Sequence, residues 1–337
     1  MPAYGESSLQ PLADFCQRND TLLILVLNIP EDGDPELKER TRENLGLAAH
    51  PHCLLVDLTA APLPSKQGVG LARKIGNDIA VKLIQQGHVQ IPWLFQTDAD
   101  TQLPDDYFQV QLPSEGTVLF PHQHVVAADE SVQLKQAIQL YDAHMHHYSN
   151  GLKSAGSKYG YISLGSTMVI HATAYAQVRG FPKRNAGEDF HMLNKLTKVA
   201  PLVELASPHI RISARHSQRV PFGTGPTLSK ICELLEVDPT GLSYLSYHPG
   251  VFAQLKMLLA QLKAYAESPS QNLASEINQE LAPLGWSKVH ARFADQYEHP
   301  RQRQKAIDDW FDALKTLRYV HQLQTLPELA DQPLLTL

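Results

Sequence analysis

Six consecutive apolar residues, Leu22 to Leu27 (LLILVL), run without polar alternation and stop at Pro30. A strand with one wet face alternates with period two. A continuous apolar run of this length reads instead as a strand covered on both faces, the environment of a parallel sheet. Parallel strands need long crossovers, usually helical, and the flanking sequence supplies them. EDGDPELKERTRENL follows, with an acidic start and Pro35 near the first turn, as at a helix N-terminus. CLLVDLT, 53–59, reads as a second buried strand ending near Asp57. In GVGLARKIGNDIAVKLIQQG, 68–87, Leu71, Ala72, Ile75, Ile79, Ala80, Leu83 and Ile84 share one helical face, and Gly87 is a C-terminal stop. IPWLFQT then leads into Asp98. This strand–helix alternation predicts a Rossmann-like α/β domain.

Further on, 116–126 reads as a strand, 129–152 as a helix, and YISLGSTMVIHATAYAQVRG as a strand followed by a short helix. GEDFHMLNKLTKV is expected to be helical, LVELASPHIRIS extended, and RHSQRVPFGTGP a loop. From Thr227 the pattern becomes long helical stretches. The expected division is therefore an α/β domain over 1–226 and a helical C-terminal extension over 227–337, consistent with 337 residues at roughly 100–200 residues per domain. Basic residues number 29 against 35 acidic, a net charge of −6, with no long basic run. That disfavours general binding to nucleic acid or anionic membranes. Cys16, Cys53 and Cys232 are widely spaced without CxxC, which argues for a reducing compartment. With no signal peptide and no apolar run near the roughly 20 residues of a bilayer span, a cytoplasmic protein is expected, peripheral membrane contact remaining open.

Several constellations can carry chemistry. Asp98-Ala99-Asp100 follows an apolar strand, where open α/β sheets bind ligands, and paired carboxylates hold a hard divalent cation that in turn takes phosphate oxygens. Asp32-Gly33-Asp34 repeats the spacing but reads as a solvated turn. The phosphatase use of Asp-x-Asp wants a threonine at the fifth position, and Thr101 comes one place early. Glu188-Asp189 opens a helix, either as an acidic first turn or as a general base. Gly68-Val69-Gly70 precedes Arg73 but matches neither GxGxxG nor a Walker loop, so a helix-entry turn explains it better. Arg215-His216-Ser217-Gln218-Arg219 is either a basic surface loop or a cover for a diphosphate or metal. His144, His146 and His147 lack a supporting carboxylate spacing and read as a polar, partly packed helix face.

The order of these segments is more specific than any one of them. The strand at 22–28, the strand to Asp57, GVGLARKIGNDIA, PWLFQTDADTQLPDDYF, GSTMVIHATAYAQVRGFP and GEDFHMLNKL together resemble the family 2 glycosyltransferases of the GT-A fold, over about residues 20–225. The resemblance implies an α/β nucleotide-sugar-binding domain, a UDP- or GDP-linked donor, an acceptor hydroxyl, and Mn²⁺ or Mg²⁺. It places Asp57 at the nucleotide base and Arg73 and Asp98 near the nucleotide. Asp98 and Asp100 fall on the metal motif, with Asp100 the more direct ligand. Asp189 matches the catalytic base of inverting members, with Glu188 beside it toward the acceptor. His216 is the candidate for a further metal ligand and Arg219 for the diphosphate. The chain departs from the family in ending its first strand Asn28-Ile29-Pro30-Glu31, and it carries no QxxRW after the acidic pair, which points away from a processive synthase. Two rival readings remain: a non-catalytic nucleotide-sugar-binding or scaffold protein, and a sugar-phosphate nucleotidylyltransferase, whose N-terminal glycine-rich basic signature LNIPEDGDPELK lacks.

Overall fold

The computed structural model describes residues 1–6, 8–64, 66–215 and 223–334. The chain forms two compact units, Met1–Leu134 with Ser163–Ser229, and Lys135–Ile162 with Lys230–Leu337. In the first unit lie β1 (Pro2–Ala3), α1 (Gln10–Arg18), β2 (Leu23–Pro30), α2 (Pro35–Arg42), β3 (Cys53–Leu63), α3 (Gly68–Gln85), β4 (Trp93–Phe95), β5 (Thr101–Gln102), β6 (Thr117–Leu119) and β7 (His122–Val125). The helix α4 (Val132–Ser154) belongs almost entirely to the second unit. The chain then returns to the first unit for β8 (Met168–His171), α5 (Ala172–Gln177), α6 (Glu188–Val199), β9 (Leu202–Glu204) and β10 (Ile210–Ser213).

The first unit is mixed α/β. Strands β1, β2 and β3 form one parallel sheet. The apolar run in β2 is explained by its two faces. Leu25 and Leu27 pack with Ala13, Cys16 and Leu47, while Val26 packs with Leu63 and Ala72 on the α3 side. Strand β3 does not end at Asp57. It continues, through a register shift opposite Asn28 and Pro30, to Leu63, whose side chain is needed in the Val26–Ala72 core.

A second sheet has the order β4-β8-β6-β9, with β8 antiparallel to both neighbours and β9 parallel to β6. This pairing departs from an all-parallel Rossmann pattern, because β8 enters between β4 and β6 running the other way. The single strand expected over 116–126 is split at Pro121, which cannot donate to a ladder. Its second half, β7, joins β10 and β5 in a third sheet. The Asp32-Gly33-Asp34 copy is a helix cap: the Asp34 carboxylate accepts from Glu36 N at 2.8 Å and Leu37 N at 3.1 Å, with Pro35 following.

The helix α7 (Thr224–Val237) carries the chain into the second unit, without a break at 226. There follow β11 (Leu245–Ser246), α8 (Pro249–Glu267), α9 (Gln271–Leu281), α10 (His290–Gln296), α11 (Pro300–Trp310), α12 (Ala313–Leu323) and β12 (Gln332–Pro333), which pairs with β11. Its core gathers Val251, Leu255, Leu258 and Leu262 from one stripe of α8 around the buried Trp286, whose Nε1 donates to Ala274 O at 3.0 Å. Leu152 and Ala155 belong to this core, which is why 135–162 groups with the helices although sequence order alone places it with the α/β part. No helix among the described residues is long and apolar enough to cross a membrane.

Candidate functional site

The site is organised by α3. Arg73 and Asn77 lie one helical turn apart, and Gln96 and Asp98 two residues apart in extended chain, so both pairs present groups about 6–7 Å apart. The two ladders match. Asn77 and Gln96 exchange amide hydrogen bonds of 3.0 and 2.7 Å, and Arg73 Nη2 donates to Asp98 Oδ1 at 2.5 Å. Asn77 Nδ2 also donates to Arg73 O at 2.8 Å. Tyr107 donates its hydroxyl to Gln96 O at 3.1 Å and packs against Phe95, Phe108 and Phe120. The strand end that presents Asp98 is thereby fixed from both sides.

Glu188 and Asp189 arrive from far along the chain. The segment 182–185 crosses the first turn of α3 so closely that a Cβ on Gly70 would meet Pro182 O at 2.3 Å, and one on Gly68 would meet Asn185 Oδ1 at 2.2 Å. Gly70 N donates to Arg184 O at 2.9 Å. The glycines before Arg73 therefore serve a backbone crossing at a helix entry. Gly187, at φ +69, then turns the chain into α6, and Arg73 Nε donates to Glu188 Oε1 at 2.9 Å. Gly165 supplies a flat floor, since a Cβ there would lie 2.3 Å from Arg73 Nη2.

One buried guanidinium thus holds two carboxylates, with a third beside them. Burial pulls Arg73 down, but Asp98 and Glu188 outweigh it and hold the group above its ordinary value. Burial, and after it the charge of Glu188, lift Asp189 from 3.8 to about 7. Asp189 Oδ1 accepts from Phe190 N at 2.7 Å, which leaves Oδ2 as the oxygen able to hold and move a proton. Arg73 Nη1 is buried without a hydrogen-bond partner among the described residues, as are Asn28 Oδ1 and Thr101 Oγ1. Asn28 shares the α3 face of β2 with Val26 by strand alternation, and Thr101 closes the Asp98 turn through its N–H to Asp98 O at 3.2 Å. Buried unpaired polar atoms cost about 1–3 kcal/mol each, and a polar ligand removes that cost.

Asp98 and Asp100 keep side-chain exposures of 32% and 24%, so both carboxylates are reachable from water. Two accessible oxygen donors suit a hard divalent cation. Arg215 Nη2 lies 3.6 Å from Asp100 Oδ2, so a cationic group already stands at that carboxylate. Asp57 is exposed in mid-strand, where its Oδ1 accepts from Thr59 N at 2.8 Å; it is not among the residues gathered at Arg73. His216 and Arg219 lie outside the described residues. In the second unit His144 Nδ1 pairs with Ser246 Oγ at 2.9 Å and His147 Nε2 with Tyr247 O at 2.8 Å, in keeping with a packed polar helix face.

Sequence reasoning missed Asn77, Gln96, Gly165, Glu6 and the pairing of Arg215. Only the first had a visible signal, a polar residue one helical turn beyond Arg73 and so on the same face of the helix. No protein-family model and no curated protein sequence matches the chain. Among solved structures it is similar to the mannosyltransferase PcManGT from Pyrobaculum calidifontis in complex with GDP-Man and Mn²⁺, at 14% identity and a TM-score of 0.40, over 94% of this chain and 85% of that one. It is also similar to TarS of S. aureus, at 11% identity and a TM-score of 0.39, over 92% of this chain and 54% of that one.

Proposed function

We propose that the first unit is a glycosyltransferase domain of the family 2, GT-A type, moving a sugar from a UDP- or GDP-linked donor to an acceptor hydroxyl, non-processively and with inversion. The observation that carries this reading is the meeting of Arg73, Asp98, Glu188 and Asp189, with one carboxyl poised near neutrality among acids already matched to a guanidinium. Arg73 Nη1 offers its unpaired N–H groups to the donor's polar atoms. Asp98 and Asp100 would hold Mn²⁺ or Mg²⁺, which when bound supplies positive charge for a leaving nucleoside diphosphate.

Asp189 Oδ2 takes the acceptor's proton as that hydroxyl oxygen attacks the anomeric carbon. A base with a pKa near the working pH is ionised often enough to act and basic enough to accept. Glu188, fixed by Arg73, orients the acceptor side and keeps the pKa of its neighbour raised. The test is calorimetric titration with UDP and with GDP, each with and without Mn²⁺. Cation-dependent binding of one nucleotide is expected, unaltered by Asp189→Asn, while that variant loses sugar transfer. Failure of both nucleotides to bind overturns the reading.

A further inference from the structure

Arg215 enters the site by strand register. β5 and β10 pair antiparallel with Ile212 opposite Thr101, and Ser213 N donates to Asp100 O at 3.1 Å. Two residues beyond Ser213, a long side chain on the same face reaches diagonally across to Asp100. Its Nη2 stands 3.6 Å from Asp100 Oδ2 and makes its closer bond to Glu6 Oε1. Glu6 is 9% exposed and its backbone is clamped: Gly5 N donates to Thr41 Oγ1 at 2.8 Å, Asn44 Nδ2 to Glu6 O at 3.0 Å, and Leu9 N to Asn44 Oδ1 at 2.9 Å. The contrast with Arg73 is plain. That side chain is 3% exposed and held by Nη2 on Asp98 at 2.5 Å and by Nε on Glu188 at 2.9 Å, whereas the Arg215 side chain is 39% exposed and stands 3.6 Å from Asp100.

We propose that Arg215 is an exchangeable counter-cation for Asp100: it screens that carboxylate in the ligand-free protein and yields it to a divalent cation while staying on Glu6. This rests on the reading of Asp100 as a cation ligand. Glu6 is the resting place that makes the exchange inexpensive, since Arg215 leaves Asp100 without losing its carboxylate partner. Arg215 then lowers cation affinity and Glu6 restores it, so the two halves of one ion pair have opposite effects.

The experiment is Mn²⁺ titration of the full chain without nucleotide, following free Mn²⁺ by electron paramagnetic resonance, for wild type, Asp100→Asn, Arg215→Gln and Glu6→Gln, with folding checked by circular dichroism. Arg215→Gln is expected to bind Mn²⁺ about 10-fold tighter, as removal of a competing charge at short range should. Glu6→Gln is expected to bind several-fold weaker, because Arg215 then falls wholly on Asp100. Weaker or unchanged binding by Arg215→Gln, with wild type binding and Asp100→Asn not, overturns the exchange alone. Equal or absent binding by wild type, Arg215→Gln and Asp100→Asn removes Asp100 as a ligand and the exchange with it. Should Glu6→Gln not fold, the sign of the Arg215→Gln effect decides.

Discussion

Replacing Asp189 by asparagine should stabilise the protein, and only above acidic pH. In the unfolded chain this carboxyl ionises near its ordinary 3.8; in the folded protein burial and Glu188 raise it to about 7. Below 3.8 both states carry the proton and no penalty exists. As pH rises from 3.8 to about 7 the unfolded chain gives up its proton while the folded protein keeps it, and folding loses stability continuously. Above about 7 the loss is complete. At about 1.4 kcal/mol per pH unit, the span gives a ceiling of about 4 kcal/mol. Solvent around this half-buried side chain reduces it to about 2–3 kcal/mol. Asparagine keeps an oxygen for the Phe190 N–H and has no charge to bury. With roughly 2–4 °C of melting temperature per kcal/mol for a domain of this size, Asp189→Asn should melt about 5–10 °C higher than wild type at pH 8, and within about 2 °C of it at pH 4. Differential scanning calorimetry at both pH values measures the pair of differences. Equal melting temperatures at pH 8, or the same gain at both pH values, would refute the claim that a raised carboxyl pKa resides at Asp189.

If Asp189 Oδ2 takes the acceptor proton, kcat/KM should rise with pH through an apparent pKa of about 7; a profile flat over about pH 5.5–8.5 contradicts that role. Arg73→Met leaves the buried Glu188 without its counter-charge and should cost about 3–5 kcal/mol, read from the urea midpoint at unchanged slope, with Arg73→Met/Glu188→Gln recovering part of the loss. Gly70→Ala drives a Cβ into the backbone oxygens of Pro182 and Arg184 and should cost at least about 1–3 kcal/mol. Gly46→Ala, where nothing lies within 4 Å of the new Cβ, should be neutral or slightly stabilising by the same assay.

What could be read from the sequence follows a physical division. The β2 strand was visible because a strand covered on both faces needs no partner information to be recognised, only an unbroken apolar run. The position of Asp98 after β4 follows in the same way from local punctuation. The buried face of α3 does not: of the seven apolar residues at helical spacing only Ala72 is buried, and the face turned inward is Gly68, Gly70, Ala72, Arg73, Gly76 and Asn77, chosen by close backbone approach and by polar partners elsewhere in the chain. The crossing of 182–185 over Gly68 and Gly70 was not visible, because the reason for those glycines is a backbone more than 100 residues away. The extension of β3 to Leu63 was hidden likewise: the residues before Leu63 are exposed and weakly patterned, and the strand persists because Leu63 fills a core made by β2 and α3. The reversed direction of β8 and the membership of α4 in the helical unit depend on pairings between distant segments, which periodicity does not encode.

The two arginines of the site differ in how they are held. Arg73 sits on the buried face of α3, held by two carboxylates through Nη2 and Nε, and its loss should be felt in folding as well as in binding. Arg215 sits two residues beyond the short strand β10, shared between Glu6 and Asp100. A guanidinium shared between two carboxylates can release one at little cost if the other stays in place, and the bonds from Gly5 N to Thr41 and from Asn44 to Glu6 O hold the backbone that carries Glu6. Fixed charge at Arg73 therefore sets the positions of Asp98 and Glu188, and exchangeable charge at Arg215 sets how strongly Asp100 attracts a cation. Substitutions at these two arginines should accordingly separate, Arg73→Met changing stability at every Mn²⁺ concentration, and Arg215→Gln changing chiefly the Mn²⁺ concentration at which stability rises.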